Sequence, residues 1–91
     1  MPSIRILQSP LFKRAYKKLQ VNQRQVVDTA IRAIVANPRL GDEKKGDLAG
    51  VFVYKFQCIN QQFLLAYEWD ELQRILHALG VHENFYRNLK R

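Results

Sequence analysis

Lys55, His82 and Tyr86 form a chemical set suited to a phosphate ester. An RNA strand carries its own nucleophile, the 2′-OH. It attacks the adjacent phosphate once a base removes its proton, an acid protonates the leaving oxygen and a cation stabilises the charge that develops. A lysine, an imidazole and a phenol meet that list without metal or cofactor. His82 lies in the closing segment LGVHENFYRNLKR, residues 79–91. An imidazole of ordinary pKa, about 6.5, gives and takes protons near neutral pH. Tyr86 follows His82 by four residues, a spacing that on a helix turns both side chains the same way. Its phenol can stack on a base or donate a proton to a phosphate. Lys55 stands in VFVYKFQCI, where alternation with Val51, Val53 and Gln57 puts it on one face of a strand. A cation held there suits a phosphate.

Each of these residues has a plainer role open to it. Lys55 can be a surface lysine whose stem covers apolar area. His82 or Asn84 can cap a C-terminal helix, and Phe85 and Tyr86 can dock the tail, Phe85 being the better anchor. His77, inside LQRILHALG, reads as structural, and Cys58 beside Ile59 as core. Glu68 can act as a base if it shares the face of Lys55, yet Trp69 and Asp70 beside it fit turn chemistry equally well. Lys44, Lys45, Arg87, Lys90 and Arg91 extend the positive charge and are candidate RNA contacts. There is no glycine-rich phosphate loop and no Ser/His/Asp or Cys/His pattern. No Cys pairs or suitably spaced His argue for a structural zinc.

The net charge is +7 and the pI about 9.9. Residues 9–37 carry six Lys/Arg against one Asp, residues 81–91 three against one Glu, and the middle is near neutral. A small basic domain is drawn to polyanions, either nucleic acid or an acidic protein; a solvated basic face is the alternative. The composition, 47% hydrophobic and 11% aromatic, is too apolar for a disordered tail. Nothing in it is long and apolar enough to span a membrane. MPSIRILQSP reads as a first strand rather than a signal peptide. One cysteine allows no internal disulfide and suits a cytoplasmic location.

The elements that must position these residues follow from pattern. Ninety-one residues make one domain, 1–91. SIRILQ (3–8) predicts a strand. Ser9 as N-cap and Pro10 at the first helical position open a helix whose apolar face is Leu11, Phe12, Ala15, Tyr16 and Leu19. After a break at Gln20–Val21, Asn22 and Gln25 resemble a capping box. Val26, Val27, Ala30, Ile31, Ile34 and Val35 continue a second helix up to Pro38. Residues 38–50, with three Gly and six charged residues, predict a loop. Segments 51–59, 61–69 and 72–80 predict three antiparallel strands joined by tight turns. HENFYRNLKR closes the chain as a short helix. The helical hairpin needs a sheet to cover, which gives a two-layer α+β domain of four strands. The opposite sheet face, left more open, has room for a site.

The whole pattern resembles the RelE/ParE superfamily of small toxins from type II toxin–antitoxin systems. The likeness rests on element order, the basic helices, GDLAG before a strand, QQFLLAY in the third strand, and above all GVHENFYRNL at the close. The resemblance implies the site on the open sheet face. It implies a cytoplasmic, ribosome-dependent and metal-independent mRNA endoribonuclease, an mRNA interferase that arrests growth by stopping translation, as in the RelE branch. Lys55 falls where those RNases have a strand lysine and Tyr86 matches their C-terminal tyrosine. His82 falls where many members have an arginine, although related RNases use histidine in this region. Leu64 replaces an arginine three residues before Tyr67, and Gln57 a second lysine. Partners would be the ribosome, mRNA and a cognate antitoxin, in a heterotetramer or larger assembly, with no membrane and no cofactor. The ParE branch implies a non-enzymatic inhibitor of DNA gyrase instead. A member that only binds its antitoxin is the third alternative.

Overall fold

The computed structural model describes residues 3–81. The proposed C-terminal helix and His82, Tyr86, Arg87, Lys90 and Arg91 lie outside the described residues. The chain runs β1 (Arg5–Gln8), α1 (Pro10–Lys17), α2 (Val21–Ala36), β2 (Asp42–Glu43), a 3₁₀ turn (Gly46–Leu48), β3 (Phe52–Cys58), β4 (Gln61–Asp70) and β5 (Gln73–Val81). The sheet order is β1-β5-β4-β3-β2, with β1 parallel to β5 and the other pairs antiparallel. The fold is the expected α+β arrangement of two helices on a sheet. It has five strands rather than four, because Asp42 and Glu43 inside the charged loop pair with Val53 and Phe52.

Helix α1 begins as its sequence dictates. The Ser9 hydroxyl accepts the Phe12 N–H at 3.0 Å, and Pro10 occupies the first turn, where a missing N–H costs nothing. Helix α2 starts earlier than Asn22/Gln25 predicts. Its N-cap is Gln20, whose backbone N–H donates to Gln23 Oε1 at 2.9 Å, while Asn22 Oδ1 accepts the Gln23 N–H. The side chain three residues after the cap makes the reciprocal bond, so the register of the box decides the start. Tyr16 O–H donates to Asp28 Oδ1 at 2.7 Å and clamps the two helices together. That bond, with burial, holds the Tyr16 phenol above its usual pKa.

The helices cover one sheet face. Phe12, Val27 and Ile34 pack with Phe63, Leu65, Tyr67, Leu76 and Leu79, and Phe52, Tyr54, Phe56 and Trp69 border them. Tyr67 is buried, and its hydroxyl donates to Pro38 O at 2.7 Å and accepts the Gly41 N–H at 3.0 Å. The α2–β2 loop is thereby pinned to the sheet. A Cβ on Gly41 would stand 2.9 Å from that hydroxyl and 3.0 Å from the Val53 backbone, so only glycine fits there.

Arg74 is the buried charge of this layer, 5% exposed. It donates from Nε to Ile34 O at 3.2 Å, from Nη2 to Val35 O at 3.0 Å and from Nη1 to Asp70 O and Gln73 O at 2.7 and 3.0 Å. Helix α2 carries no basic residue in its last turn. Arg74, reaching from β5, puts a cation there and satisfies terminal carbonyls that would otherwise be orphaned.

Arg74→Ala strips partners from four buried or half-buried carbonyls and opens a cavity. It should cost about 2–5 kcal/mol, read as a shift of the urea midpoint. Burial also raises the Tyr67 pKa above the ordinary value of about 10. The unfolded chain therefore ionises first. Stability from this group is complete below about pH 10 and is lost as pH rises through the raised value. Wild-type stability should decline on alkaline titration, and Tyr67→Phe should flatten that decline while lowering neutral stability through its lost hydrogen bonds.

Candidate active face

The other sheet face is built by residues alternating with the core-facing ones. In β3 these are Val53, Lys55 and Gln57; in β4, Gln62, Leu64, Ala66 and Glu68; in β5, Ala78 and Gly80. Registers align them in rows, Lys55–Leu64–Gly80 and Val53–Ala66–Ala78. The centre of this face is less open than the sequence suggests. Val51, Val53, Leu64, Ala66 and Ala78 form a second buried cluster, against which Leu11 and Leu48 pack. Leu64, at 0% exposure, is a core residue on the side where the sequence anticipates a ligand. Among the described residues, the exposed polar side chains of this face lie at its margins.

Lys55 occupies one margin. It is exposed, points away from Tyr54 and Phe56, and has Gln57 and Gln62 as polar neighbours along its strand and the next. Its row ends at Gly80, and the described chain stops one residue later at Val81, opposite Phe63. His82 is the next residue in sequence. Along the edge of β5 at this corner lies a cleft of about 350 Å³, lined by Arg14 and Lys18 of α1 and by residues of both sheet faces, Phe63, Leu79 and Val81 with Ala78 and Gly80. The two cations were legible only as the polar side of α1, and the fold brings them to the end of β5.

Lys44 and Lys45 are at the far end of β3. The Lys44 N–H donates to Val51 O at 2.8 Å, and Val51 lies four residues from Lys55, about 13 Å along the strand. Lys44 is half-buried and engaged with its surroundings, and Lys45 is exposed. These two lysines do not join Lys55 at one phosphate.

The other margin holds a pair that sequence reasoning left apart. The β4–β5 register slips between Ala66 and Tyr67, whose partners are Ala78 and Leu76, so His77 is the extra residue of a β-bulge. The bulge turns its imidazole toward Glu68, with Nε2 3.2 Å from Oε2 and the side chains 31% and 46% exposed. Nε2 is shielded from water and makes no well-aligned hydrogen bond. The His77 carbonyl accepts from the Ser9 hydroxyl at 2.6 Å, which ties the bulge to the cap of α1. Glu68 thus points to the face of Lys55, with His77 beside it at the bulge. No periodicity signals this, because a bulge is invisible until two strands are registered.

Cys58 is buried, with its thiol pushed up by burial, as suits a core residue. No three His, Cys, Asp or Glu side chains group as metal ligands among the described residues. No described helix is long and apolar enough to cross a membrane.

Residues 6–90 match the family model of the ParE-like toxin of type II bacterial toxin–antitoxin systems. The chain therefore belongs to this family: it is a toxin of a type II toxin–antitoxin system, of the RelE/ParE kind. Among curated protein sequences none matches it significantly. Solved structures share its fold. The intact RelBE toxin–antitoxin complex of Escherichia coli aligns with 14% identity over 89% of this chain and 99% of that one, TM-score 0.70. The RelBE2 toxin–antitoxin complex of Mycobacterium tuberculosis aligns with 20% identity over 90% and 100%, TM-score 0.72. The YoeB/ParE toxin of Agrobacterium tumefaciens aligns with 15% identity over 87% and 99%, TM-score 0.65.

Two neighbours in one row should separate by measurement. Leu64→Ala should lower the unfolding free energy by about 2–5 kcal/mol. Lys55→Ala, at an exposed position, should stay within about 0.5 kcal/mol of wild type. Equal destabilisation by both would show that Lys55 is part of the packing.

Proposed function

We propose that this toxin is a ribosome-dependent, metal-independent endoribonuclease that cuts mRNA and stops translation. The observation that carries the reading is Lys55, an exposed cation on a rigid strand, in the row that ends one residue from Val81, where His82 follows. In this reading RNA supplies its 2′-OH as nucleophile. Lys55 stabilises the charge building on the non-bridging phosphate oxygens. His82 is general acid or base, and Tyr86 stacks on a base or donates the second proton. Arg14 and Lys18 in the neighbouring cleft draw the polyanion to this corner, Arg87, Lys90 and Arg91 add to the attraction, and Lys45 takes the RNA backbone at the far end of β3. Lys44 belongs with them as a backbone contact of the far margin.

The partner is a cognate antitoxin whose acidic or amphipathic segment covers basic surface, in an assembly larger than one copy of each. Toxin–antitoxin complexes are among the structures that share the fold. The location is cytoplasmic, where ribosomes are. A second reading is supported by Leu64, which stands where RNases of the superfamily have an arginine, and by the ParE-like family match. It is inhibition of DNA gyrase by protein binding, with no RNA cleaved.

Labelled methionine and thymidine incorporation after induction separates the two. Under the RNase reading protein synthesis stops first and mRNA fragments accumulate. His82→Ala then lowers the cleavage rate roughly 10²–10⁴-fold while the fold is kept. A fully toxic His82→Ala protein removes that residue from the chemistry. DNA synthesis stopping first, with mRNA intact, makes gyrase the target.

A further inference from the structure

The Glu68–His77 pair is unexplained by the chemistry at Lys55. The two margins are separated along β4 by the four residues from Leu64 to Glu68, about 13 Å. A group bound at Lys55 is out of reach of the pair. The pair nevertheless faces the same side of the sheet, and that side is the one an RNA strand would cross. A carboxylate there repels phosphate. It is matched by the hydrogen-bond donors of RNA, the 2′-OH and the bases, and only a base edge can offer two donors side by side.

Resting on the RNase reading, we infer that Glu68, backed by His77, reads a guanine of the bound RNA. An ionised carboxylate only accepts hydrogen bonds, through two oxygens side by side. Of the four RNA bases, only guanine offers two adjacent donors on its Watson–Crick edge, N1–H and N2–H. Adenine and cytosine set a donor beside an acceptor, and uracil sets its N3–H between two carbonyls. Single-stranded RNA is read on that edge, with the base splayed out over the protein surface. Glu68 has the exposure needed, at 46%. His77 has the place of a positioning residue. Its Nε2 lies 3.2 Å from Oε2, shielded from water and without a hydrogen-bond partner. It packs beside the carboxylate without a hydrogen bond to it, which leaves the carboxylate lone pairs free. The bulge that aims His77 is anchored by the Ser9 hydroxyl, so the reader is mounted on rigid structure. At a stacked spacing of ~3.4 Å per nucleotide, 13 Å places the guanine no more than about four nucleotides from the cut.

The test maps cleavage ends on a set of reporter mRNAs in a translating extract, with purified wild type, Glu68→Gln and His77→Ala. The expected result is guanine enriched at one fixed offset within about four nucleotides of the wild-type cut. That enrichment should fall about tenfold in Glu68→Gln, since a Gln cannot accept from both donors, and partly in His77→Ala. Circular dichroism melts confirm that both variants are folded. Unchanged guanine enrichment in folded Glu68→Gln overturns the inference, as does a wild-type cut with no guanine at a fixed offset. In both of those outcomes RNA is still cleaved, and the RNase reading stands. Absence of any cleavage by wild type removes the RNase reading and this inference with it.

Discussion

Everything in the helix-covered layer converges on the guanidinium of Arg74. It is a cation inside a small domain with no carboxylate among its hydrogen-bond partners. Its acceptors are main-chain carbonyls from the end of α2 and from the β4–β5 turn, and the Trp69 ring lies 5.8 Å away. Burying a charge without such compensation costs several kcal/mol. The arrangement therefore permits one relation between helix and hairpin: α2 must end where Arg74 can reach it. Arg39, 5.3 Å from the same Trp69 ring, continues this polar seam to the surface. Tyr67 performs the neutral version of the same task one turn away, pinning Pro38 and Gly41.

A second constraint comes from size. A domain of this length has little interior, and this one buries β4 on both faces, from Phe63 to Tyr67. The helix-free face is thus part of the core. Leu64 and Ala66, with Val53 and Ala78, occupy the place where a broad polar active site would otherwise lie. Among the described residues, the proposed contacts fall on two separated margins, Lys55 with the end of β5 and the Glu68–His77 bulge. For an elongated polymer, two contacts about 13 Å apart along one strand direction are a natural geometry. For a compact small-molecule substrate they are not.

Charge and fold are coupled loosely here. The cations of α1 and α2 lie on the outside of the helical layer, apart from Arg14 and Lys18, which border the cleft at the end of β5. The positive charge of the described residues is therefore spread around the molecule, so a partner that neutralised all of it would wrap rather than plug. This agrees with the kind of assembly proposed for the antitoxin.

Local signals settled most of the elements. Ser9 and Pro10 mark the start of α1 because a cap is a contact between residues three apart. The alternation in β3 marks Lys55 as outward-facing because strand geometry is local. The family, too, was legible, since element order and the closing GVHENFYRNL are properties of the chain as written. Contacts between distant segments were not. Nothing in the local sequence marks Arg74 for burial, and only the arrival of α2's carbonyls, forty residues earlier in the chain, makes that burial tolerable. Asp42 and Glu43 look like loop residues until β3 offers a free edge. His77 and Glu68 become a pair only through a one-residue slip between β4 and β5, and Leu64 becomes core only when Leu11 and Leu48 close over it. Short-range chemistry is written in spacing, whereas register, burial and the company a charge keeps depend on which distant backbone lies beside it.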